Sequence, residues 1–340
     1  MREGRVTIKD IARELGVSPS TVSRALKDHP DISAETKKAV KELAEKYHYQ
    51  PDAIALSLRS RQTRTIGVVI PEVVHHFFSS VISGIEDVAY HAGYQVMITQ
   101  SNENYEREVR SIEALLNSRV DGILVSISKY TNHFNHLQKV LEEGVPLVFF
   151  DRACEEMEVD RVVVDDYFGA FRAVEHLIKM GCRRIAHFGS AQLLAIAQQR
   201  LHGYINALKE YDMKVDERLI IQCDTLPQAL KMTGKVLDLS DPPDAIFAIN
   251  DLTAAGAMKV IKERGLRIPE DIAIVGFTNG QIAHLTDPPL TSVEQHGYDM
   301  GREAARMLLD RLTRPNSDYP PKIKILKTRL DIKASSLRKK

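Results

Sequence analysis

Apolar residues recur at helical spacing through the first fifty positions. Ile8, Ile11, Ala12 and Leu15 stand at i, i+3, i+4 and i+7, one stripe of an amphipathic helix. Thr7 precedes the stripe with Asp10 three positions later, a Thr-x-x-Asp capping box, and Gly16 follows it with the permissive backbone of a tight exit. Ser18 caps a second helix, and Pro19 suits its first turn, where a proline's missing N–H would be unpaired anyway. Val22, Ala25 and Leu26 give that helix a narrow apolar face, and Ser20, Thr21, Ser23, Arg24 and Lys27 occupy most of the rest. A third helix starts near Ser33, with Val40, Leu43, Ala44 and Tyr47 inward and Lys37, Lys38 and Lys41 outward.

From residue 65 the pattern becomes alternating strands and helices. TIGVVIP (65–71), YQVMITQ (94–100), GILVSIS (122–128) and PLVFFD (146–151) read as strands, with helices near 79–92, 105–119 and 133–143 between them. The series restarts at RVVVDD (161–166) and continues through RRIAHFG (183–189), RLIIQC (218–223), DAIFAIN (244–250) and DIAIVGF (271–277). Helices near 168–180, 197–211, 226–237 and 251–264 separate these runs, and a helix near 298–313 and a strand near 322–327 close the pattern. The expected fold is a small all-α head followed by an α/β core of two doubly wound, parallel-sheet lobes.

Composition first hides and then sharpens this division. The chain has 340 residues, enough for two or three domains, and its 46 Lys/Arg balance 46 Asp/Glu. Splitting the balance at residue 64 gives 13 basic against 9 acidic residues in the head, and 33 against 37 in the remainder. A basic head on an acidic body points to an acidic partner for the head. Hydrophobic residues at 44% and charged residues at 27% exclude a disordered chain. No run approaches the roughly 20 apolar residues of a membrane span. The N-terminus has frequent charges and no apolar signal core, so no secretory signal is expected. Cys154, Cys182 and Cys223 show no CxxC spacing, which suits reduced thiols in a cytoplasm.

Helix, short turn with glycine, and a second helix with a small polar face is the helix-turn-helix pattern. Short polar side chains let that second helix approach base edges, and Arg24 can donate two hydrogen bonds to a guanine. Residues 6–71, VTIKDIARELGVSPSTVSRALKDHPDISAETKKAVKELAEKYHYQPDAIALSLRSRQTRTIGVVIP, closely resemble the N-terminus of LacI/GalR-family transcriptional regulators. The resemblance implies a recognition helix from Ser18, with Pro19, Ser20 and Arg24 where base-reading side chains lie and Thr21 and Ser23 where phosphate contacts are common. It adds Thr7 and His29 in the head, Ala55 and Leu58 in a hinge helix over Pro51–Leu58, and Arg59 directly after it. Leu58 matches a leucine that wedges into the minor groove and bends the duplex. Asp52 stands where Asn is usual and Leu56 where a basic residue is frequent, so the hinge has less positive character than typical members.

The family organisation divides the chain into 1–50 (helix-turn-helix), 51–64 (hinge helix and linker) and 65–340 (effector-binding core). The core then resembles periplasmic sugar-binding proteins, with lobe 1 over about 65–160 plus 295–320 and lobe 2 over about 161–293 plus 321–340. Ligands of open α/β sheets bind beyond the carboxyl ends of strands. Candidates there are His75, Phe77 and Phe78 after the first strand, Ser126 on the third, and Asp151 and Arg152 at the end of the fourth. Phe168 follows Asp165 and Asp166, which also suit a helix cap, and Asp151 and Arg152 are also placed to pair with each other. Arg200 lies in RLHGY, similar to the family's RxxGY, and Asn250 and Asp251 match a family pair at the cleft. Thr278 stands in Gly276-Phe277-Thr278-Asn279, where the family commonly places an effector-reaching Asp. Carboxylates, amides and arginines beside an aromatic ring suit a sugar or sugar derivative.

The expected function is a ligand-responsive DNA-binding transcriptional regulator of the repressor type, a homodimer on pseudo-palindromic operator DNA with a small molecule in its inter-lobe cleft. No Leu heptad tail follows the last strand, so a coiled-coil tetramer is not expected. The alternative is a small-molecule-binding protein without a DNA role. An enzyme is not expected: there is no nucleophile elbow, P-loop or metal-ligand spacing, and His187, His202 and His284 are scattered. Gly67, Gly189 and Gly276 form no GxGxxG, so no dinucleotide cofactor is expected.

Overall fold

The structure is a computed structural model that describes residues 6–49, 62–190, 194–314 and 320–338. The chain divides into two compact units, Met1–Thr63 and Arg64–Lys340.

The first unit holds α1 (Ile8–Glu14), α2 (Pro19–Leu26) and α3 (Ala34–Lys46). Their starts are set locally. The Asp10 carboxylate accepts from the backbone N–H and hydroxyl of Thr7 at 2.9 and 2.6 Å. The Ser18 hydroxyl accepts from the Thr21 N–H at 3.1 Å, and that of Ser33 from Thr36 at 3.2 Å. Gly16 leaves α1 with φ +63°, a conformation that suits glycine. Ile11, Ala12, Val22, Ala25, Val40 and Leu43 form the small core where the three apolar stripes meet.

The second unit contains two six-stranded sheets, each with helices on its faces. The first lobe begins β1 (Thr65–Ile70), α4 (His76–His91), β2 (Gln95–Gln100), α5 (Tyr105–Asn117), β3 (Gly122–Val125), α6 (Asn135–Glu142), β4 (Leu147–Phe150) and β5 (Asp160–Val164). The second runs α7 (Asp166–Lys179), β6 (Ile185–Gly189), α8 (Ala195–Glu210), β7 (Ile220–Gln222), α9 (Leu226–Leu237), β8 (Ala245–Ala248), α10 (Asp251–Glu263), β9 (Ala273–Thr278), α11 (Gln281–Leu285) and β10 (Thr291–Glu294). The chain then returns through α12 (Gly297–Thr313) and β11 (Ile323–Leu326) to the first lobe, and ends with β12 (Arg329–Asp331) in the second.

Sheet order is β11-β5-β4-β3-β1-β2 in the first lobe and β12-β10-β9-β8-β6-β7 in the second. All described pairings are parallel except β10 with β12. Strands in such sheets are covered on both faces, which is why TIGVVI and LVFF read as apolar runs rather than alternating ones. Helix α12 packs against α4 at Gly84 and Gly301, where a methyl group on either would collide with the other helix's backbone.

The lobe boundaries differ from the sequence expectation. Residues 161–164 and the strand within 321–340 were expected in lobe 2. Instead β5 pairs with β4 (Val148 opposite Asp160) and with β11 (Val163 opposite Ile325), both in the first sheet. Counting strands along the chain cannot show this, because a parallel neighbour is chosen by a crossover rather than by local pattern. Three connections therefore cross between lobes, after Val164, Glu294 and Leu326. The expectation also lacks β10, β12 and α11, which are only three to five residues long, and runs β3 three residues past its end at Val125.

Candidate functional site

Two surfaces carry the expected chemistry. On the head, Ser18, Pro19, Ser20 and Arg24 are exposed on or beside α2, while Thr21 and Ser23 are half-buried. The Ser18 hydroxyl also meets those of Ser20 and Thr21 at 2.7 and 2.8 Å, which orders the start of the helix. Among the described residues the Arg24 side chain makes no hydrogen bond or ion pair, so its five donors are free for a partner. Thr7 is exposed but committed to Asp10, and His29 lies 3.3 Å from the Asp31 carboxylate. Ala55, Leu58 and Arg59 lie outside the described residues.

The second surface is a cavity of about 420 Å³ between the lobes of the core. Its walls come from the carboxyl ends of strands in both sheets, as the topology requires. His75, Phe77, Phe78, Asp151 and Arg152 line it from the first lobe, and Arg200, Asn250, Asp251 and Thr278 from the second. Ser126 and Phe168 do not line it. Ser126 is fully buried beyond the end of β3. Phe168 is 47% exposed, with the Arg172 guanidinium 5.4 Å from its ring. Two residues along α7 turn the chain about 200°, so Asp166 can face the cleft side while Phe168 cannot.

The polar groups of this cavity are mostly held by one another. Arg200 donates from Nε to Asp166 at 2.7 Å and from Nη1 to the Ile249 carbonyl at 2.7 Å, with the Phe277 ring 3.7 Å beneath it. Burial raises the Asp166 pKa, and Arg200 opposes that rise. The neighbouring Asp165 is the helix cap, accepting from the Phe168 N–H at 3.0 Å. Arg152 bonds Glu103 at 2.8 Å rather than Asp151, whose carboxylate is 3.8 Å from Nε. Asp251 accepts from the Gly280 N–H at 2.8 Å and from the Ser292 hydroxyl. Burial pushes its pKa up to about 7, against the pull of those two donors. Asn250 caps α10, accepting from Thr253 at 2.8 Å, and donates to the Asp224 carbonyl at 2.9 Å.

Asp151 differs from these. It is 5% exposed, lines the cavity, and makes no side-chain hydrogen bond among the described residues. Burial pushes its pKa up to about 6, and Arg152 pulls in the other direction. The buried Nε of Arg152 beside it is also without a hydrogen-bond partner. These two groups form a 3.8 Å ion pair but no hydrogen bond, so a ligand's hydroxyl can donate to one and accept from the other.

Glu103, Lys129, Asp224 and Gln295 also line the cavity and were not expected. Glu103, Lys129 and Asp224 follow β2, β3 and β7 within a few residues, so the strand-end rule was sufficient to find them. Gln295 follows β10, a strand too short to read, and accepts from the Thr278 hydroxyl at 2.8 Å. Among the described residues no cluster of His, Cys, Asp or Glu has metal-binding geometry, and no helix is long and apolar enough to cross a membrane.

Comparison with known proteins is consistent across both units. Residues 7–52 match the model described as "Bacterial regulatory proteins, lacI family", and residues 63–332 match "Periplasmic binding proteins and sugar binding domain of LacI family". The chain is 34% identical over 312 residues to the HTH-type transcriptional repressor PurR of Vibrio atlanticus, covering 90% of this chain and 92% of that one. It is 33% identical to the repressor CytR of Escherichia coli strain K12, with 92% and 91% covered. Among solved structures it resembles a lac repressor dimer bound to operator and the anti-inducer ONPF (TM-score 0.85, 25% identity, 98% and 100% covered). It also resembles the regulator CelR in complex with cellobiose (TM-score 0.74, 31% identity, 97% and 100% covered).

Proposed function

The chain belongs to the LacI family of bacterial regulatory proteins, and from that premise we propose how its own residues divide the work. The protein is a ligand-responsive transcriptional repressor, not an enzyme, and acts as a dimer on operator DNA with a small-molecule effector. The reading without a DNA role falls with the match over residues 7–52.

In our reading the exposed side of α2 faces the operator. Arg24 reads a base edge, Pro19 and Ser20 lie beside it, and Thr21 and Ser23 meet phosphates. Thr7, Ser18 and His29 flank that contact, and Ala55, Leu58 and Arg59 form the minor-groove hinge. The free guanidinium of Arg24 supports this. We place the protein in the cytoplasm, where an operator is found and where three buried, unpaired thiols stay reduced.

The inter-lobe cavity is the effector site. The observation that carries this is the pair at its wall, the Asp151 carboxyl and the Arg152 Nε, which lie 3.8 Å apart, too far to hydrogen-bond each other. A neutral polyhydroxylated ligand, a sugar or sugar derivative, satisfies both, with Phe77 or Phe78 against its ring. Support comes from the sugar-binding description of the matching family and from relatives whose structures hold cellobiose or ribose. Arg200, Asn250, Asp251, Thr278 and His75 complete the walls.

A thermal-shift panel of ribose, cellobiose, nucleosides and nucleobases tests this reading. At least one compound is expected to raise the melting temperature of the wild type, because a ligand bound only by the folded state stabilises it. The Asp151→Asn protein is expected to lose about tenfold in affinity for that compound, about 1.4 kcal/mol. A compound that binds wild type and Asp151→Asn equally would remove Asp151 from the site.

A further inference from the structure

Most charged pairs lining the cleft stay within one lobe. Arg152 meets Glu103 in the first, and Arg200 meets Asp166 in the second. Lys129 and Asp224 do not follow that rule. Lys129 follows β3 in the first lobe, Asp224 follows β7 in the second, and Nζ lies 3.1 Å from Oδ2. Among the described residues that line the cavity, this is the only ion pair whose members come from different lobes.

Each end is mounted rigidly. The Lys129 N–H donates to Glu103 at 2.8 Å, which is itself held by Arg152. One residue earlier, the Ser128 N–H donates to Glu108. Glu108 is fully buried and also accepts from the Thr131 hydroxyl at 3.0 Å, with His136 Nε2 2.9 Å away. On the other side the Asp224 carboxylate accepts from the Ser190 hydroxyl at 2.6 Å. The Asp224 backbone donates to Gln228 at 3.0 Å and accepts from Asn250 at 2.9 Å. An ordinary surface pair contributes little because ordering two long side chains offsets the attraction. Here the backbone at both ends is already ordered, and the side chains are only 14% and 13% exposed, so less is lost and screening is weaker.

We propose that Lys129 and Asp224 form a clasp that holds the two lobes closed over the cleft, whatever ligand the cleft takes. Three chain connections join the lobes, and parting the lobes at this edge of the cleft breaks the pair. A clasp shifts the open–closed equilibrium before any ligand arrives, and so sets how much closing free energy the ligand must supply. Its regulatory sense rests on the cleft being the effector site. The clasp itself is testable without an effector, so the two ideas fail separately.

The experiment is double electron–electron resonance on the ligand-free full chain, spin-labelled through Glu143→Cys in the first lobe and Lys231→Cys in the second. Both positions are exposed, and the native Cys154, Cys182 and Cys223 are buried, so labels go to the new thiols. Lys129→Met and Asp224→Asn are each expected to lower the ratio of short to long inter-lobe distances about fivefold. Lys129→Arg keeps the charge and is expected to keep the wild-type distribution. Raising salt from about 50 mM to about 1 M is expected to lower the ratio in wild type but not in Lys129→Met. A distribution that neither neutralising substitution moves overturns the proposal. So does one that Lys129→Arg moves as far as Lys129→Met.

Discussion

Arg200 meets one oxygen of Asp166 through both Nε and Nη2, each at 2.7 Å. Both side chains are 5% exposed. A buried charge left without its partner is strongly unfavourable, whereas removing both together is not. Arg200→Ala is therefore expected to destabilise the core by about 3–5 kcal/mol in urea unfolding. The double substitution Arg200→Met with Asp166→Leu is expected to recover most of that stability without recovering effector affinity. Equal stability of Arg200→Ala and wild type would show that the pair does not hold α7 to α8.

Asp251 carries a pH signature of its own. Its folded pKa, about 7, lies above the ordinary 3.8. Between those values the folded state holds a proton that the unfolded state has released. Stability from this group is therefore greatest at low pH and falls as pH rises towards 7. The Asp251→Asn protein lacks that dependence. The stability of wild type relative to Asp251→Asn is expected to fall by up to about 1.4 kcal/mol per pH unit between about pH 4 and 7. Unfolding curves for both proteins across that range measure it, and a difference that rises with pH would contradict the burial argument.

Arg24 is expected to read one base. Binding of Arg24→Ala to a set of single-base variants of a selected palindromic duplex should show lost preference at one position per half-site, at about 1–3 kcal/mol. Equal weakening on every variant would assign it to phosphate instead.

Much of this arrangement is legible in the sequence, and the limits have physical causes. Helices α1 to α3 depend on contacts three or four residues apart, such as Thr7 with Asp10 and Ser18 with Thr21, so local pattern suffices. Strand partners are non-local. RVVVDD looks like the start of a new array, yet β5 completes the first sheet because β4 and β11 flank it. Nine of the eleven expected cleft residues line the cavity, because strand ends alone fix where a doubly wound lobe opens. Phe168 fails on helical phase and Ser126 on depth. Reading each strand end for one or two residues missed what its neighbour does. Asp166 is the partner of Arg200 rather than a cap, and Arg152 hydrogen-bonds Glu103 while keeping a longer ion pair with Asp151.

The basic head and acidic body also acquire separate roles. The head presents free positive charge on α2. The core keeps its cleft cations paired with carboxylates. Coupling between these two units is the central claim. Its direct measurement is the affinity of the full chain for a palindromic duplex selected from a random library, with and without a compound that raises the melting temperature. The account predicts an affinity ratio that differs from one in wild type and, in Asp151→Asn, needs about ten times more compound to reach the same value. A compound that binds the wild-type core at saturation and leaves the duplex affinity unchanged would contradict it.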